Sequence, residues 1–158
     1  MASQRDDYVL RLIDELREFV TRLINLGDAS RLDEALMAAV AAQEKLFARP
    51  AAQFTALPIT EQLTLLRRGE TPPTGRSKCL AYADILEEAG LVYRAKSRED
   101  FAAGAFALAL CTSLFVALES PEGAAEAKPQ IERLLGRVEP ERLPPPVRGL
   151  LERFQAGR

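Results

Sequence analysis

The chain has 158 residues, 47% hydrophobic and 28% charged, with a formal net charge of −2. These values suit one core and give no general affinity for nucleic acid, an anionic membrane or an acidic substrate. It contains no histidine, which removes the commonest general base and zinc ligand, excludes hydrolases and metalloenzymes that depend on it, and leaves no cofactor implied.

Cys79 and Cys111 are too few for a disulfide framework and too far apart for a Cys-x-x-Cys motif. A reducing compartment is expected, with both as small buried apolar residues. Asp6 and Asp7 stand where a secretory signal would need a basic segment followed by an apolar run, so the expected location is the cytoplasm.

In chain order, Val9, Leu12, Ile13, Leu16, Phe19, Val20, Leu23 and Ile24 recur at helical period and predict a helix over 4–26, stopped by Gly27. Leu10 and Leu26 widen its apolar face beyond one contact. Leu12, Leu16, Phe19 and Leu23 are therefore a candidate self-association face, with a homodimer as the expected product. A second helix is predicted over 31–47, capped by Asp28 or Ser30 and buried through Leu32, Leu36, Val40 and Phe47, with Met37 at its edge. The alanines among residues 38–42 let a neighbour approach closely.

After Pro50 and Pro58, a short connector helix is expected from Thr60 through Leu63, Leu65 and Leu66 to a stop before Gly69. Residues 70–75, with Pro72 and Pro73, are expected to form an exposed loop. The run from Gly69 to Lys78 resembles a phosphate-binding loop only superficially. It follows a helix, has five residues between its glycines and places Arg76 where lysine is needed. Arg67, Arg68, Arg76 and Lys78 still form a candidate anion patch beside a predicted helix start at Ser77.

A helical hairpin is predicted over 77–119, turning near Lys96, its second helix opened by Ser97 with Asp100 as an approximate capping box. Residues 101–118 carry no charge over about the minimum spanning length. Their alanines, Gly104, Thr112 and Ser113 favour a buried central helix over a membrane span. Leu86, Gly90, Tyr93, Ala102, Phe106 and Ala109 fall at the spacing of small and aromatic residues in a tetratricopeptide repeat, and the hairpin resembles one. The pattern occurs once, with Ala89 where leucine is usual and Leu114 where proline is usual.

That resemblance implies an all-α, right-handed helical array of six or seven helices and a protein-binding role. Positions matching the concave groove of such repeats, Asp84, Glu87, Leu91 and Arg94, become a candidate peptide site, whose two acids favour a basic segment. Ser120 and Pro121 open a further helix whose regular part is expected over 129–135, and a last helix is expected over 147–156. The C-terminal helices cap the core.

Across the whole chain, Gln4, Asp7, Tyr8, Arg11, Ile13 and Leu16, the run Lys78-Cys79-Leu80-Ala81 and the run Glu88-Ala89-Gly90 resemble a family of short uncharacterised bacterial proteins. That resemblance implies an all-helical fold without an assigned activity. The expected function is a non-enzymatic interaction or scaffold module, binding a protein partner or itself and neither nucleic acid nor membrane. The alternative is a small-molecule or anion-binding regulator using Arg67, Arg68, Arg76 and Lys78.

Overall fold

Apolar side chains at three- and four-residue spacing build the first helix, α1 (Gln4–Leu26), in a computed structural model that describes residues 4–157. The ends of the predicted domain, residues 1–3 and 158, lie outside the described residues. Val9, Ile13, Leu16, Val20 and Leu23 are the inward side of α1. Gly27 ends it at φ 65°, a left-handed conformation that alanine would adopt only under strain.

A 3-10 turn, Ala29–Arg31, leads into α2 (Leu32–Phe47). Here the predicted buried stripe is corrected. Leu32, Ala35, Ala39, Ala42, Leu46 and Phe47 face inward, Leu36 is half-buried, and Val40 and Met37 are exposed. The alanine side permits closer helix packing than the bulkier side, and proximity decides the orientation.

Helix α3 (Ile59–Arg67) starts after Pro58 rather than at a Thr60 cap. Gln62 fixes it from inside: its amide donates to the carbonyls of Phe54 (3.1 Å) and Leu57 (2.9 Å) and its oxygen accepts from the Tyr82 hydroxyl (2.6 Å). Burial pushes the Tyr82 hydroxyl up to about 12.

Helix α4 (Pro72–Ala95) begins five residues before the predicted Ser77, because Thr71 caps it and Pro72 and Pro73 occupy first-turn positions where no N–H is needed. Helix α5 (Glu99–Glu119) follows without a side-chain cap. Ser97, predicted as that cap, instead makes the turn at φ 60°. The hairpin is antiparallel: Gly90 of α4 receives Phe106 of α5, and a Cβ on Gly90 would stand 2.6 Å from the ring. Tyr93 stacks on Phe101 with ring centroids 5.3 Å apart.

Helix α6 (Pro121–Leu135) runs unbroken through Pro129. Pro129 and Ala125 both lie on the exposed side, where the carbonyl deprived of its partner meets water, so the helix continues past the expected start. Ser120 caps it, its Oγ accepting from the Gly123 N–H at 2.9 Å. We expect Ser120→Ala to cost about 1 kcal/mol in denaturant unfolding, the usual value of one such cap.

Helix α7 (Pro145–Ala156) closes the chain. Among the described residues the fold is all-α, with seven α-helices and no strand, as predicted. One hydrophobic core takes residues from all seven. Helix α5, uncharged over residues 101–118, lies at its centre, packed by α3, α4, α6 and α7, with Phe106, Ala109, Leu110, Leu114 and Val116 fully buried. It is long and apolar enough to cross a membrane, and here it forms the middle of the core. Cys79 and Cys111 are free and buried, and burial pushes the Cys111 thiol up to about 11.

Candidate functional site

Asp84, Glu87 and Glu88 stand at i, i+3 and i+4 on α4, so three carboxylates crowd one helix face. Left alone they would repel one another. Two neighbouring helices supply the opposing charge. Arg17 of α1 donates through Nε to Glu88 Oε1 at 3.2 Å and reaches Asp84 at 3.3 Å through Nη2. From α6, Arg133 Nε bonds both Glu87 oxygens at 2.9 and 3.0 Å and its Nη2 lies 3.0 Å from Asp84, and from the turn that follows α6, Arg137 Nε donates to Glu87 at 2.7 Å.

Gln130 completes the network. Its amide donates to Asp84 (2.8 Å) and to the Leu80 carbonyl (2.9 Å), and its oxygen accepts from the Ser113 hydroxyl of α5. Three arginines thus balance three carboxylates where α1, α4 and α6 meet.

The three carboxyls differ. Glu87 is 1% exposed, and although burial opposes its charge, the two arginines hold its carboxyl below the usual range. Burial raises Glu88, whose Oε2 has no partner, and Arg17 opposes the rise only in part. Burial likewise raises Asp84 against the pull of Gln130 and the arginines.

The predicted groove residues are brought together, but not as an open groove. Helix α6 lies over that part of α4, Glu87 is enclosed, and Leu91 is half-buried. Arg94 places its guanidinium 4.7 Å from the Phe106 ring centroid and donates to the Arg137 carbonyl at 2.8 Å. The acids selected for a basic peptide are neutralised by the chain's own arginines.

The candidate anion patch is similarly occupied. Arg67 pairs with Glu119, Arg76 bonds Glu126 through two nitrogens at 2.9 and 3.1 Å, and Lys78 meets Glu70 at 2.6 Å. Arg68 is exposed. The helix start expected beside them is at Pro72, not Ser77.

The candidate self-association face divides in two. Leu16 and Leu23 belong to the core, at 4% and 2% exposure, whereas Leu12 and Phe19 are half-buried. With Tyr8 and the small side chains of Ala38, Ala41 and Ala42, these two line an open groove of about 500 Å³ between α1 and α2. On another side of α1, Leu10, Arg17 and Ile24 repeat every seven residues. Both apolar members are exposed, at 49% and 41%.

Sequence reasoning missed Arg17, Gln130, Arg133 and Arg137. A usable signal was Arg133 in the last turn of α6 with Arg137 just beyond it, two cations available to the acidic side of α4. Comparison with protein-family models, curated proteins and solved structures finds no match to this chain.

Proposed function

We propose that the protein is a non-enzymatic interaction or scaffold module of tetratricopeptide-repeat type that binds a protein segment along the face formed by α1, α4 and α6. The observation that carries this reading is where apolar surface remains exposed. Of the large hydrophobic side chains left exposed among the described residues, Leu10 and Ile24 lie on this face, on the same side of α1 as Arg17. Exposed apolar side chains grouped on one side of a helix mark a protein contact.

Two further features favour this face. Arg17, flanked on its helix by Leu10 and Ile24, is 43% exposed while tied to α4, so a rigid charged group stands between two apolar ones. The close fit of Gly90 on Phe106 is the packing that the repeat spacing serves. An anion-binding role has less support, since Glu119, Glu126 and Glu70 already neutralise three of its four cations.

A photo-crosslinking residue placed at Leu10 or Ile24 in host cells tests the proposal. We expect a discrete adduct with another protein from both positions and none from the exposed control positions Glu61 and Glu152. Equal labelling at the controls, or no adduct from either apolar position, overturns it.

A further inference from the structure

We infer that the groove between α1 and α2 is a homodimer interface. It receives α1 of a second copy, antiparallel and related by a two-fold axis near Phe19, with Glu15 of each copy opposite Arg22 of the other. This contact uses a different side of α1 from the partner face and stands independently of it.

The groove has the form of a helix seat. Tyr8, Leu12 and Phe19 make one wall, and Ala38, Ala41 and Ala42 on α2 present little beyond a methyl group each. A helix laid there approaches both backbones to the 8–10 Å at which packed helices sit. Leu12, Phe19 and Leu26 repeat every seven residues, so α1 itself carries the apolar stripe that such a seat accepts.

The rim charges select a second copy and its direction. Glu15 and Arg22 line the same groove, two helical turns apart, about 10.5 Å along the axis. Both are exposed, and neither makes an ion pair within the chain among the described residues. A parallel copy of α1 would set Glu15 against Glu15 and Arg22 against Arg22. An antiparallel copy centred between Glu18 and Phe19 sets each Glu15 against an Arg22, twice by symmetry.

The cations over Phe19 fit this arrangement. Arg31, 5.0 Å from the ring centroid, is held by Glu34 through bonds of 3.0 and 3.1 Å and stays in place. Arg22, 5.9 Å from the same centroid, has no such tether and can turn to the opposing Glu15.

Light scattering on the full-length protein across a concentration series, with charge-reversal variants, tests the inference. We expect twice the 17.4 kDa chain mass at high concentration. Glu15→Arg and Arg22→Glu should each weaken the dimer about tenfold or more, because each replaces two attractive pairs by two repulsive ones. The double variant should restore affinity to near the parent value. Circular dichroism confirms that each variant folds, as expected for exposed side chains. A monomer at every concentration, with the groove open to another protein, overturns the inference. So does a dimer indifferent to both reversals, or a double variant no tighter than the singles.

Discussion

Glu87→Gln should lower the unfolding free energy by about 3 kcal/mol, the lower end for breaking a buried ion pair. The Glu87 side chain is 1% exposed and carries two arginines, so the substitution breaks the contacts that fix α6 on α4. The cost stays at the lower end because Arg133 and Arg137, 41% and 29% exposed, regain water when released. For a chain of this length that corresponds to roughly 6–12 °C in melting temperature.

The same carboxyl sets an acid dependence. Held below its ordinary value of 4.5 in the folded state, it stabilises the fold at pH above 4.5, and that contribution disappears as pH falls further through the folded value. Unfolding followed between pH 7 and 3 should show a loss in the parent that is smaller in Glu87→Gln. Glu88 and Asp84 act in the opposite sense. Burial raises both, so the folded state favours their protonated forms, and their unfavourable charge cost grows as pH rises from the unfolded towards the folded value. Glu88→Gln should therefore cost much less than Glu87→Gln, about 1 kcal/mol or below, since Oε2 of Glu88 has no partner to lose. Equal losses for the two variants would contradict this division of roles.

Adding one methyl group at Gly123 should be as damaging. A Cβ there would lie 2.2 Å from the Val116 carbonyl oxygen and 3.1 Å from its carbon, and both atoms belong to the backbone of α5. No rotamer change relieves that contact. The junction of α5 and α6 must open, at an expected cost of about 3 kcal/mol in denaturant unfolding.

Gly90→Ala supplies the comparison. Its Cβ would meet Phe106 Cε1 at 2.6 Å and Cδ1 at 2.8 Å, a side chain that is fully buried. The clash should cost about 2 kcal/mol, after the gain of up to about 1 kcal/mol from alanine's helix preference. Because a side chain is the obstacle, adding Phe106→Leu should recover part of the loss. No equivalent second substitution should rescue Gly123→Ala. An unchanged midpoint for either glycine variant would show that the helices can separate more easily than this packing implies.

Helices α1, α2 and α7 and the α4–α5 hairpin were legible because their information is local: apolar residues at helical period, a glycine stop, a short turn. Boundaries at proline were harder. Pro72, Pro73 and Pro145 begin helices, and Pro129 sits within one, because a missing N–H matters only where another group needs it. The inward face of α2 was misread since size suggested Leu36 and Val40, whereas helix proximity favoured the alanines.

The ion network was beyond local reading for another reason. Arg17 and Glu88 are 71 positions apart, and Arg133 and Glu87 are 46 apart. A run of acids on one helix looks the same in sequence whether it meets water, a partner or the chain's own arginines. Only the packing of α1 and α6 on either side of α4 distinguishes these cases.

The central position of α5 has a consequence during synthesis. Its uncharged stretch leaves the ribosome after α3 and α4 but before α6 and α7, so for an interval the growing chain displays an apolar helix whose later cover does not yet exist. Products cut short after about residue 119 carry that surface permanently. Such fragments should be the aggregation-prone species and the ones held by chaperones that bind apolar segments.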